Sequence, residues 1–259
     1  MTSRPRSTAL VSPRRPAPAP VHGANQNLLL AALPDGEYVQ LQPSLELVVV
    51  GVKELLLKAG EPITSVYFPG GGFCSDLAVM EDGRMVEVAT IGREGMIGFD
   101  AVLGGGPASS TVMVQALMES CYRMPAAAFQ HQMDRRGPFC ELITHYGHAL
   151  VCVLKQLTAC NAVHSVEQRL ARWLLMAQDR VGKSEFPLTQ EFVAMMLGAS
   201  RPTITLVAGT LQKAGLITYR RGLVSIARRQ ALEGVSCECY RTATRLMRGI
   251  VSASTPHPR

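Results

Sequence analysis

The sequence predicts an α+β chain in three parts: an N-terminal β-roll, one long helix and a C-terminal winged helix-turn-helix. Three observations lead there. Short apolar runs alternate with glycines through the first half of the chain. After Pro138 the glycines thin out and apolar residues recur at helical spacing. Between Thr189 and Ile226 two cappable helices precede a tight hairpin. Many short strands divided by turn residues fold as a sandwich or roll, a 3.6-residue period marks a helix, and two helices across a short turn are a helix-turn-helix.

Residues 1–24 are a Pro/Arg-rich tail, expected to stay disordered because it has little apolar surface to offset its ordering entropy. Residues 25–137 are the expected roll, a sensor-like domain. They begin with a short helix over Asn27–Leu33 and continue with strands over Leu45–Val50, Thr64–Phe68, Met85–Ile91 and Thr111–Leu117. In the last of these Val112, Val114 and Ala116 share one face. Residues 138–162 are read as a dimerisation helix. Phe139, Leu142, Ile143, Tyr146, Leu150, Val153 and Leu157 form one apolar stripe along it. A long helix with such a seam needs a partner, and in a two-fold dimer the partner is its own copy. Phe139, Leu142, Tyr146, Leu150, Val153 and Leu157 are therefore the expected dimer interface.

Residues 163–240 are the expected winged helix-turn-helix domain, opening with a helix over Ser165–Arg180 whose inner face carries Val166, Leu170, Trp173, Leu174 and Ala177. Thr189 can cap the next helix, with Gln190 and Glu191 in its first turn. Gly198-Ala199 breaks that helix, Ser200 can cap the following one, and Pro202 sits where no intrahelical N–H is needed. Ile204, Val207, Ala208 and Leu211 then repeat at helical spacing until Gly215. Leu216–Tyr219 and Leu223–Ile226 flank a turn at Arg220-Arg221-Gly222, which reads as a wing. A helix of this kind can enter a major groove with its N-terminal residues at base edges. Ser200, Arg201 and Thr203 stand there, and Arg201 suits a bidentate contact to guanine. Arg220 and Arg221 suit phosphates. Thr189 and Gln190 complete the expected DNA-binding set. Residues 241–259 read as a tail.

Charge agrees with this division. Residues 1–22 hold four arginines and no acid, 23–160 carry an excess of six acids, and 161–259 an excess of eight basic residues. A basic C-terminal third behind an acidic middle fits a polyanion-binding module joined to a different domain. Seven scattered cysteines and no export signal favour free thiols in a reducing cytoplasm. No apolar run is long enough to span a bilayer. No nucleophile elbow, phosphate-binding glycine loop or HExxH motif is present, so no enzyme and no cofactor are expected. A cupin-type metalloenzyme would need histidines on strands, and all six lie outside the predicted ones. His145, His148 and Cys152 share one helix face and Cys237-Glu238-Cys239 is a close pair. Two thiols supply only half a tetrahedral site, and packed or solvated side chains are the plainer reading of both groups, so no metal is expected.

At this point the chain resembles the Crp/Fnr superfamily, whose type member is the cyclic-AMP receptor protein. The resemblance rests on Leu188-Thr189-Gln190-Glu191, on Leu197-Gly198-Ala199-Ser200-Arg201-Pro202-Thr203, and on Leu211 with Ala214-Gly215-Leu216-Ile217. It implies a DNA-binding homodimer and allows RNA polymerase as a further partner. Arg201 matches a guanine-reading arginine of the family, whereas Pro202 and Leu206 replace a glutamate and an arginine. The family's cyclic-nucleotide cassette uses a Gly-Glu and an Arg-Ser pair. The comparable positions here are Gly98-Phe99 and Ser110-Thr111, an effector pocket with no cation for a cyclic phosphate, so tight cyclic-AMP binding is not expected and the effector stays unknown. A signalling module that binds a small ligand but not DNA is the alternative.

Overall fold

In the computed structural model, residues 27–104 and 106–253 are described. The 1–24 tail lies outside them. The described residues begin with two short helices, α1 (Leu28–Ala31) and α2 (Asp35–Leu41). Asn27 caps α1 by accepting from the Leu29 and Leu30 amides, both at 3.1 Å. The helix expected over Asn27–Leu33 is α1, and α2, beyond Pro34, was not anticipated.

Seven strands follow: β1 (Glu46–Val50), β2 (Leu55–Leu57), β3 (Ser65–Pro69), β4 (Phe73–Val79), β5 (Met85–Ile91), β6 (Thr111–Ala116) and β7 (Met118–Pro125). They form two antiparallel sheets, β1-β7-β3 and β2-β6-β4-β5. Between the sheets lie Val50, Val114, Met118 and Cys121, and beside them Cys74, Ile91, Ile97 and Val112. This is the expected β-roll. The alternation read in Thr111–Leu117 is kept, with Val112, Val114 and Ala116 buried and Leu117 exposed.

Helix α3 (Ala126–Asp134) leads to α4 (Pro138–Val163), 26 residues long. The first half of α4 packs Phe139, Leu142, Ile143 and Tyr146 against Phe68, Met96 and Phe129 of the roll side. The second half sets Val153 and Leu157 among the helices that follow. The apolar seam expected to meet a second copy is therefore interior to the single chain. Phe139 and Tyr146 are at most 1% exposed, Leu142, Val153 and Leu157 are also buried, and Leu150 is half-buried. A periodic stripe states that a face will be covered; here the chain's own roll and C-terminus cover it.

After a break at His164–Ser165, α5 (Val166–Val181) begins with a full capping box between Ser165 and Gln168. Then come β8 (Glu185–Pro187), α6 (Gln190–Leu197), α7 (Arg201–Lys213), β9 (Ile217–Arg220), β10 (Leu223–Ile226) and α8 (Arg229–Val235). The last helix, α9 (Cys239–Ala253), replaces the expected tail over residues 241–253. Its buried Ala243 and Ile250, with Leu246 and Met247, keep helical spacing and pack back on the core beside α4, while arginines at 241, 245 and 248 mask the pattern in the sequence.

Candidate nucleic-acid interface

Helices α6 and α7 meet at 107°, within the range of a helix-turn-helix pair. Thr189 caps α6 through the Phe192 amide at 3.2 Å, and Ser200 caps α7 through the Thr203 amide at 3.3 Å. Ile204, Ala208 and Leu211 are buried beneath α7. The face left outward carries Arg201, Pro202, Thr205 and Leu206. Of the residues singled out from sequence, Thr189, Ser200 and Arg201 are exposed, Gln190 and Thr203 half-buried. The Ser200 and Thr203 hydroxyls bond each other at 2.8 Å, and the Thr205 hydroxyl donates to Gln190 Oε1 at 2.7 Å, locking α6 to α7. Leu206, 72% exposed on this face, belongs to the candidate surface although nothing in its residue type announced it.

The wing is a three-stranded sheet, β8-β10-β9. Leu223 pairs with Arg220, so the turn is the two residues Arg221-Gly222, with φ of 49° and 79°. Two left-handed residues suit the twist of a hairpin. Gly222 adopts this freely, whereas Arg221 is held there with its side chain exposed, next to the exposed Arg220.

This unit is docked on the roll. Trp173 of α5 stands edge-on to Phe73 of β4 and Phe192 of α6, with ring centroids 6.0 and 6.1 Å away. Its indole N–H donates to Glu87 Oε1 of β5 at 2.8 Å, and Ser75 donates to the other oxygen. Arg180 pairs with Glu94 at 2.6 Å and donates to the Thr90 carbonyl at 3.2 Å. One apolar core consequently runs from Phe73 and Leu77 of the roll through α5 to α7.

Burial pushes the Glu87 carboxyl from its ordinary 4.5 up to about 7, against the lowering effect of Ser75, Trp173, Arg172 and Arg180. Because the folded value lies above the unfolded one, its contribution to stability is complete below about pH 4.5 and is lost as pH rises through 7. Thermal melts of the wild type should fall across that window, by at most about 3 kcal/mol from this group. Glu87→Gln keeps the acceptor for Trp173 and should flatten the profile; an unchanged slope would show that other groups set it.

The four positions expected to line an effector pocket diverge. Gly98, at φ 89°, starts a 3₁₀ turn over Phe99–Leu103. Phe99 faces α4, edge-on to Tyr146 at 5.7 Å. Ser110 lies beside the Asp76 carboxyl and works against the rise in its pKa, and the Thr111 hydroxyl accepts from the Ala59 amide at 3.2 Å. Burial raises the Asp76 pKa, and the neighbouring charge of Asp100 adds to the rise. Asp100 itself accepts from the Ser109 amide and hydroxyl at 2.8 and 2.6 Å. The ground around Ser110 is thus acidic. His145 and His148 are exposed on α4, with Cys152 Sγ 3.8 Å from His148 Nε2. Among the described residues no single helix is long and apolar enough to cross a membrane.

Residues 48–136 match the cyclic nucleotide-binding domain and residues 168–235 the Crp-like helix-turn-helix domain. No curated protein sequence matches the chain. Among solved structures, it is similar to a transcriptional regulator of the Crp/Fnr family from Eubacterium rectale, with 18% identity, a TM-score of 0.64, and coverage of 80% of this chain and 96% of that one. FixK2 from Bradyrhizobium japonicum gives 14%, 0.64, 74% and 98%, and the c-di-GMP responsive global regulator CLP from Xanthomonas campestris 15%, 0.61, 74% and 99%. At such identities these likenesses speak to fold. The two domain matches, in this order along one polypeptide and together spanning more than half of it, place the chain in the Crp/Fnr family of transcription regulators.

Proposed function

We propose that this regulator binds a specific, near-palindromic DNA site as a homodimer and does not respond to cyclic AMP. The observation that carries the reading is the exposed N-terminal face of α7, held at 107° to α6 and flanked by a wing whose tip presents two arginines. Arg201 reads a guanine; Leu206, apolar and exposed, suits a thymine methyl. Ser200, Thr203, Thr189 and Gln190 position the helix or contact the backbone, and Arg220 and Arg221 neutralise phosphates. Because the apolar seam of α4 is interior, the face of that helix left to a second copy is the one bearing Thr144, His148, Val151, Lys155, Thr158 and Ala162. The case against cyclic AMP rests on charge. Asp76 and Asp100 lie about Ser110, where a cyclic phosphate would need a cation. Calorimetry with cyclic AMP should show no heat, and a micromolar constant would reverse this part.

The decisive experiment is selection of bound sites from random DNA with the purified chain, followed by Arg201→Ala. The substitution should relax discrimination at one base pair by about 1–3 kcal/mol, while affinity for every sequence falls steeply with salt. Equal loss on all sequences would remove Arg201 from base reading, and failure to select any site would remove the proposal.

A further inference from the structure

We infer that Cys160, His164, Cys237 and Cys239 form a tetrahedral zinc site that clamps the C-terminal end of α4 to the start of α9. One ligand atom from each of the four residues lies within 4.8 Å of all the others. Cys160 Sγ is 3.5 Å from Cys237 Sγ, and Cys239 Sγ is 3.7 Å from His164 Nδ1. A zinc ion with bonds of about 2.3 Å to sulfur and 2.0 Å to nitrogen holds neighbouring ligand atoms roughly 3.5–3.8 Å apart. The two separations just given match that spacing, and the remaining ones stay within 4.8 Å. An iron–sulfur cluster would need its thiolates spread around a shell of iron and sulfide, wider than this set allows.

The surroundings are those of a ligand set. His164 turns Nδ1 inward and places Nε2 3.2 Å from Glu238 Oε2, a carboxylate–histidine pairing that fixes the ring and strengthens the inward nitrogen as a donor. The Gln156 side-chain amide donates to Cys239 Sγ at 3.1 Å, as outer amides do to bound thiolates. Cys239 is the first residue of α9, where the helix amide end favours an anionic sulfur. The three cysteines are at most 3% exposed, so water does not compete. Packing of small apolar thiols would account for the cysteines but not for the inward imidazole, its carboxylate, or the amide aimed at sulfur. Four protein ligands close the coordination sphere, which makes the site structural rather than catalytic, and a thiolate-rich tetrahedron selects zinc over calcium or magnesium. On binding, three thiols release their protons to solvent as three zinc–sulfur bonds form.

The position gives the clamp its consequence. Cys160 and His164 are one turn apart at the end of α4, and Cys237 and Cys239 precede or begin α9. The whole helix-turn-helix unit, α5 through α8, lies between the two halves of the site. The metal would tie the entrance of that unit to its exit and so fix how α7 is carried on α4.

The full-length chain, purified reduced and without chelator, should contain about one zinc per chain by elemental mass spectrometry. Cobalt added to the metal-stripped wild type should give the intense visible bands of four-coordinate thiolate ligation, and stripping should lower the melting temperature. Cys160→Ser, Cys237→Ser and His164→Gln should each cut zinc content at least tenfold, with Cys152→Ser unaffected. The cobalt titration uses the wild type alone, so a variant that fails to fold leaves the test intact. Reduced wild type with neither zinc nor cobalt bands, another metal in zinc's place, or full zinc retention by a Cys160→Ser/Cys237→Ser double variant would each overturn the assignment.

Discussion

Trp173→Ala is expected to lower the unfolding free energy by about 3–5 kcal/mol. Trp173 is the chain's only tryptophan and is 2% exposed. Truncation removes two edge-on aromatic contacts and opens a cavity where the roll, α5 and α6 meet. It also strips the buried Glu87 carboxyl of its indole donor. Trp173→Phe keeps part of the packing and should lose less, near the 1–3 kcal/mol of an unpaired buried polar group plus a smaller cavity. Denaturant unfolding followed by far-UV circular dichroism is the measurement, since the fluorophore is lost in both variants. Combining either with Glu87→Gln tests the hydrogen bond. A loss from Trp173→Phe that shrinks in the Glu87→Gln background assigns part of it to that carboxyl. A loss below about 1 kcal/mol in Trp173→Ala would mean that the two domains are not joined through this ring.

The helix-turn-helix was legible because its signals are local. The Thr189 and Ser200 caps, Pro202 in the first turn and the apolar spacing of α7 each act within four or five residues, and the structure keeps them. β5 was legible in the same way, down to its ends at Met85 and Ile91. β4 was not read, because it is covered on both faces near its start. Phe73, Cys74 and Ser75 are all buried, so no alternation marks it. The seam of α4 was seen and given the wrong cover, since periodicity carries the existence of a buried face but not the identity of what buries it. The cysteine–histidine cluster was invisible for a different reason. Cys160 and Cys237 are 77 residues apart, and each half taken alone offers too few ligands to mean anything.

The joint between α4 and the roll supplies the second large effect, and its sign runs against helix propensity. Gly147 sits inside α4, where alanine would ordinarily gain about 0.5–1 kcal/mol. Here a Cβ would stand 2.1 Å from Cζ of Phe99, with two more ring carbons within 3.1 Å. Phe99 in turn rests edge-on against Tyr146, whose hydroxyl donates to the Met96 carbonyl at 3.2 Å. A Cβ on Gly95 would likewise meet the Tyr146 hydroxyl at 2.7 Å. Two glycines thus make room for two rings, and the helix is keyed to the roll by them. Gly147→Ala is expected to cost about 1–3 kcal/mol, because the ring must leave its place and its contact with Tyr146 loosens. Phe99→Ala vacates the space, so adding Gly147→Ala to it should restore the ordinary helix-propensity gain and reverse the sign of the glycine substitution. A double-mutant cycle from denaturant melts decides it. If Gly147→Ala stabilises the wild type, Phe99 does not key α4 to the roll.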